Sequence, residues 1–171
     1  ILNKDEIKPL NNIVPRDCNI ELNVSCPNVD EEKQDNFKTI VYKELGVFYD
    51  QQRKWCIIKL SPQDTIKQVD TLYKQGFRQF HCSNTLPKED GSGGLSGHIL
   101  QPYTSKLVKT IKNKYPDTEI IAGGGIRNYR DIALYKRDGA THFSISSLCF
   151  NPFMFYIFYV DHRFRHYKNK N

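Results

Sequence analysis

The chain has 171 residues with a formal net charge of +6, a mass of 20.0 kDa, a pI near 9.0 and a mean hydropathy of -0.60. That is enough chain for one ordinary domain, and no apolar run approaches the roughly 20 residues that cross a bilayer, so no membrane partner is expected. Much of the basic excess sits in Arg163, Arg165, Lys168 and Lys170 or is scattered over lysines, the pattern of a solvated surface rather than a nucleic-acid face.

Residues 1–17 are polar, and Pro9 and Pro15 argue against a helix, so 1–18 is expected to be irregular. The start lacks the apolar core of a signal peptide, and Ile1 in place of Met points to a processed or truncated chain. Ile20, Leu22 and Val24 alternate as a strand with one buried face. Phe37, Ile40, Val41 and Leu45 recur at helical spacing, with Gly46 as the expected stop. Residues 55–60 read as a continuous buried strand. Asp64 is the expected cap of the next helix, whose stripe is Ile66, Val69, Leu72 and Tyr73 and whose stop is Gly76.

A third strand runs from Phe77 to Cys82, followed by a long polar loop with Gly91, Gly93, Gly94 and Gly97. A helix over 104–114 packs through Leu107, Val108 and Ile111. Residues 119–122 form the fourth strand and run into Gly123-Gly124-Gly125; Asn128 caps the helix that follows, and Gly139 ends it. Residues 141–145 form the fifth strand. The aromatic segment 152–160 is expected to be helical and the tail 161–171 frayed, giving a domain over 19–160.

Strand, loop and helix repeated five times without a hairpin signal imply parallel strands with helical crossovers. In such folds chemistry gathers at the carboxyl ends of the strands. The unusual residues fall there: Cys26, Lys59, Asn84-Thr85, the glycine loops and Ser146-Ser147. Pro27 ends the first ladder, so Cys26 sits where strand meets loop, between Asn23 and Asn28. Taken alone, such a thiol is more often a small buried residue than a nucleophile or base. Buried strand ends rarely carry lysine, which singles out Lys59. Gly124-Gly125 before a helix offers N–H groups to an anion at a helix N-terminus, and Ser146-Ser147 can add donors. The five dispersed cysteines have no metal spacing and read as reduced thiols of a cytoplasmic protein.

In order and approximate spacing, Asn-Val-Ser-Cys-Pro-Asn, Ile-Lys-Leu-Ser-Pro, Ser-Asn-Thr, Gly-Gly-Leu-Ser-Gly and Ile-Ile-Ala-Gly-Gly-Gly-Ile resemble the dihydroorotate dehydrogenases. These are FMN-dependent (β/α)8 TIM barrels, and the resemblance covers about residues 19–150. It implies α/β architecture with only the last five β/α units present. It further implies Cys26 as the base that takes the C5 proton of dihydroorotate while the C6 hydride goes to flavin N5. Asn23, Asn28, Asn84 and Thr85 then match the residues that hold the pyrimidine. Lys59 and Ser83 match positions at the flavin ring, and Gly97, Gly124, Gly125, Ile145 and Ser146 match those at the flavin and its phosphate. Cysteine as base is the pattern of the cytosolic class 1 enzymes.

The first three strands of that barrel have no counterpart before residue 19, so the chain is expected to need them or to self-associate. The loop after Asn28 turns acidic, and Ile145 stands where the family often has Gly or Tyr. Two alternatives remain open: a non-catalytic remnant or interaction module of the same fold, and an FMN reductase acting on another pyrimidine or on tRNA uridine. The cysteine motif and Gly-Gly-Leu-Ser-Gly do not match the latter.

Overall fold

The computed structural model describes residues 4–24, 41–90 and 92–168. Five short strands form one parallel sheet: β1 (Ile20–Asn23), β2 (Cys56–Leu60), β3 (Gln79–Cys82), then, after a small hairpin of β4 (Leu86–Pro87) and β5 (Gly94–Leu95), β6 (Glu119–Gly123) and β7 (His142–Ser144). The order across the sheet is β1-β2-β3-β6-β7, with every neighbour parallel. Sequence alternation explains which face is covered. Leu22, Ile58, Phe80 and Ile120 are register partners across four strands, and all are at most 8% exposed. One residue further along, Asn23, Lys59, His81 and Ile121 form the next row, on the opposite face.

The covered face packs against α2 (Ile66–Lys74), α3 (Gln101–Lys114) and α4 (Tyr129–Asp138). Val69 and Leu72 of α2 and Leu107, Val108 and Ile111 of α3 stand where the periodicity predicts, and with Tyr135 of α4 they are buried. Truncating Phe80 to Ala at the centre of this layer removes contacts on every side and costs about 3–5 kcal/mol. Tyr73 leaves the expected stripe and stacks on Tyr115 with ring centroids 3.8 Å apart.

Five local expectations differ from the structure. α1 (Ile7–Ile13) lies in the supposedly irregular segment; Pro9 is its third residue, where the missing N–H has no helical partner to lose, and Ile7 is buried in the core. Thr65, not Asp64, caps α2 through a capping box with Gln68. Asp64 instead accepts from Ser61 N and from Tyr42 Oη, each at 2.7 Å. Gly46 does not stop a helix: residues 41–44 run into a 3-10 turn over Leu45–Phe48. Finally, α5 (Pro152–Lys168) carries helix through most of the tail expected to fray. The β4–β5 hairpin was likewise not signalled, because each strand is two residues long.

Candidate functional site

A cavity of about 240 Å³ opens at the carboxyl ends of the sheet strands. The sheet delivers Lys59 from β2 and His81 from β3, with Ser83, Asn84 and Thr85 following directly. Asn84 N donates to Leu60 O at 2.9 Å, so the loop stays tied to the neighbouring strand end. The β4–β5 hairpin then returns the chain to the same place, bringing Ser96 and Gly97 to the wall. Glycine at 94 is what lets the hairpin close over the loop, since a Cβ there would run into the Thr85 side chain. Gly123 at the end of β6 with Gly124 and Gly125 after it, and Ser144 at the end of β7 with Ile145, Ser146 and Ser147 after it, complete the lining.

Nine residues singled out from sequence therefore share one cavity: Lys59, Ser83, Asn84, Thr85, Gly97, Gly124, Gly125, Ile145 and Ser146. Asn23 joins them through its side chain, whose Oδ1 accepts from Asn84 Nδ2 at 3.2 Å. Cys26 and Asn28 lie outside the described residues.

The glycine turn is built for close approach. Gly124 and Gly125 have φ of +90° and +77°, which side-chain-bearing residues rarely adopt. A Cβ on Gly125 would sit 3.0 Å from His98 Cα and 3.2 Å from Gly97 O. Among the described residues, the N–H groups of Gly124, Gly125 and Ser146 reach no acceptor, and all three residues line the cavity. The expected helix N-terminus is not part of it. Asn128 Oδ1 accepts from Arg130 N and Asp131 N, and Asp131 Oδ2 accepts from Arg127 N and Asn128 N. The first turn of α4 is thus closed by its own cap and by a buried carboxylate. Gly124, Gly125 and Ser146 fit the phosphate end of a flavin nucleotide.

Behind the cradle, Thr104 Oγ1 donates to Gly123 O at 3.0 Å and lies 2.9 Å from Ser83 Oγ. That buried pair fixes the two walls relative to each other. On the opposite wall, Glu21 Oε1 is 3.6 Å from Lys59 Nζ, and Glu21 Oε2 is 2.8 Å from His81 Nδ1. The hydrogen bond from His81, with the nearby Lys59 charge, holds the Glu21 carboxyl below its ordinary value of 4.5 despite partial burial. Sequence reasoning missed Glu21, His81, Ser96, Thr104 and Ser144. For the first two a signal existed: Glu21 is two residues before Asn23, and His81 two before Ser83, hence on the same strand faces.

Among the described residues no group of histidine, cysteine and carboxylate side chains could hold a metal, and no helix is long and apolar enough to cross a membrane.

Comparison with known proteins gives a consistent picture. The dihydroorotate dehydrogenase family model matches residues 3–156. The chain is 32% identical over 152 residues to the catalytic subunit of dihydroorotate dehydrogenase B (NAD(+)) of Petrotoga mobilis, covering 78% of this chain and 50% of that protein. The corresponding subunit of Oceanobacillus iheyensis is 28% identical over 153 residues, covering 79% and 50%. A crystal structure of the dihydroorotate dehydrogenase of Eimeria tenella in complex with ferulenol superposes with a TM-score of 0.68 at 19% identity, over 85% of this chain and 49% of that one. The fold is therefore part of a TIM barrel, and the chain spans about half the length of the curated relatives it matches.

Proposed function

This chain belongs to the dihydroorotate dehydrogenase family, and from that premise we propose that it supplies the carboxyl-terminal part of an FMN-dependent barrel that oxidises dihydroorotate to orotate. The observation that carries the reading is the convergence of the nine sequence-assigned residues, with Asn23 bonded to one of them, on a single strand-end cavity.

When bound, FMN supplies the acceptor for the substrate hydride. The chain's own residues do the rest. The amides of Gly124, Gly125 and Ser146 receive the phosphate, and Gly97 and Ile145 wall it. Lys59 sets a cation at the polar edge of the ring system, which favours negative charge developing there. Asn23, Asn84 and Thr85 offer amide and hydroxyl groups that orient a pyrimidine without adding charge. Cys26, with Asn28 beside it in sequence, takes the C5 proton of the substrate on Sγ.

Among the described residues the sheet has no strand beyond β1 or β7, and the proposed barrel is completed by three further β/α units or by self-association. The test is to co-express the chain with the amino-terminal half of a family relative, load FMN and add dihydroorotate without oxygen. Bleaching of the flavin absorbance is the expected outcome. A complex that binds FMN and is never bleached would turn the reading toward a non-catalytic relative.

A further inference from the structure

A second cavity, also of about 240 Å³, opens at the other end of the sheet, where Cys56 begins β2 and Gln79 begins β3. Three cations line it, Arg53, Lys54 and Arg78, against one carboxylate, Asp50. Most of the polar groups there are engaged. Gln79 accepts from Cys56 N and donates to Lys54 O and Glu119 Oε2. Arg78 bonds to Asp117 at 2.9 Å and to the Tyr73 and Phe77 carbonyls. Asp50 lies 3.5 Å from Arg16 and accepts from Gln52 N.

Arg53 is different. It is only 5% exposed, and its Nη1 donates to Pro15 O at 2.7 Å and to Cys18 O, fastening the segment before β1 to the turn before β2. Its Nε and Nη2 are buried and reach no acceptor. Those two nitrogens share one edge of the planar guanidinium and point the same way, the arrangement that meets two oxygens of one oxyanion. A clasp for two carbonyls needs only Nη1, and a buried cation with an unused edge is costly unless an anion meets it. Among the described residues neither Arg53 nor the exposed Lys54 beside it has a carboxylate partner.

We propose that this cavity binds a phosphate dianion, taken edge-on by Arg53 and steadied by Lys54. Two cations without a carboxylate favour a dianion over a monocarboxylate. Because Nε and Nη2 are shut off from solvent, the ligand enters with a local shift of the turn 50–53, whose Gln51 and Gln52 are exposed. Free phosphate and a small phosphate ester present the same group, and the site is independent of the flavin reading.

The test uses the full chain carrying Ser146→Asp, which bars phosphate from the glycine and serine loop, so that a signal there cannot be mistaken for this one. Inorganic phosphate is titrated at pH 8 and constant ionic strength into protein labelled with ¹⁵N-arginine, with acetate as the monoanion control. The Nε resonance of Arg53 is expected to move saturably with phosphate and not with acetate. Lys54→Glu is expected to weaken phosphate binding by at least about tenfold, with an unchanged melting temperature when phosphate is absent. Arg53→Lys keeps a charge for the two carbonyls and loses the edge, and is expected to weaken binding by a similar factor. Glycerol 3-phosphate binding more tightly than inorganic phosphate supports an ester as the ligand, and the reverse order supports free phosphate. An Arg53 resonance unmoved by phosphate overturns the proposal. So does equal phosphate affinity in Lys54→Glu, or acetate binding as tightly as phosphate. Lys54 is exposed, so Lys54→Glu decides the matter should Arg53→Lys fail to fold.

Discussion

The indole of Trp55 meets the imidazole of His142 edge to face, with ring centroids 5.0 Å apart at 81°. Trp55 immediately precedes β2 and His142 opens β7, and β3 and β6 lie between them. In a flat sheet those strands would be about 14 Å apart, three spacings of roughly 4.8 Å. The contact therefore spans a concave surface, and the five strands curve as part of a barrel wall. Trp55 is the only tryptophan, so its emission reports that curvature. His142→Ala is expected to shift the emission to longer wavelength and to lower the melting temperature by about 2–4 °C, as for a loss near 1 kcal/mol in a domain of this size. Unchanged emission would mean that the rings do not meet in solution.

A curved sheet whose edge strands β1 and β7 have no outer neighbour among the described residues invites pairing with other chains. The last helix adds to this, since Phe153 is 71% and Tyr156 65% exposed, while Phe158 stacks on Tyr129 with centroids 5.4 Å apart. The chain alone is expected to associate, and Phe153→Lys with Tyr156→Lys to reduce the associated fraction. Light scattering coupled to size exclusion reads this directly. A sharply melting monomer with both aromatic residues in place would contradict it.

The covered side of this fold was legible because its signals are local. The alternation and continuous runs of β1, β2, β3 and β6 mark strands, and the Val69–Leu72 and Leu107–Ile111 stripes mark helices. What was hidden either breaks a rule harmlessly or acts at a distance. Pro9 sits in a first turn, where it does no damage, so α1 escaped notice. Asp64 stands beside the true cap, and its partner Tyr42 is 22 residues away. The Glu21–His81 bond spans 60 residues, and only the register of three strands brings its two ends together. The cavity itself was legible because family motifs already pointed to strand ends. The closed N-terminus of α4 was not, since it depends on which N–H groups Asp131 reaches.

The glycine cradle makes a charge-specific prediction. Gly125→Asp adds a carboxylate and also forces a Cβ toward His98 and Gly97 at a positive φ, so it is expected to lose FMN binding together with some stability. Ser146→Asp adds the charge at an ordinary φ, and is expected to lose FMN binding by at least tenfold with little change in melting temperature. Riboflavin, which lacks the phosphate, should bind the Ser146→Asp variant and the unsubstituted chain alike. Retention of full FMN affinity in Ser146→Asp would remove the phosphate from this loop.

Glu21 also gives a pH signature. Its carboxyl is held below 4.5, first by the His81 hydrogen bond and then by the His81 and Lys59 charges. A carboxyl depressed in the folded state stabilises the fold above its ordinary value, and that contribution fades as pH falls through the folded value. The side chain is 36% exposed, so solvent screens the effect and it is modest. The unsubstituted chain should therefore melt above Glu21→Gln at pH 6, and the gap should close by pH 3. A gap that widened in acid would reverse the sign of this linkage.

Cysteine reactivity separates the proposed base from the rest of the thiols. Burial pushes the Cys56 thiol up to about 11, and complete burial pushes Cys82 up further, so neither should react at pH 8. Cys18 and Cys149 are exposed and should. In a Cys18→Ala, Cys149→Ala background, a base at position 26 should be the one thiol that an aromatic disulfide reagent titrates, with a midpoint at or below the ordinary value of about 8.5. In the completed, flavin-loaded barrel, Cys26→Ala should keep its FMN and its melting temperature, while reduction by dihydroorotate slows by roughly 10²–10⁴-fold, the range for a positioned general base. Cys26→Ser should keep part of the rate with its pH optimum moved upward, because a hydroxyl holds its proton more tightly than a thiol. A structural cysteine would give the opposite pattern, with lost stability or flavin and normal reduction of whatever flavin remains. Stopped-flow reduction beside a thermal melt of the same variant distinguishes the two, and an unchanged reduction rate in Cys26→Ala would end the assignment of Cys26 as the base.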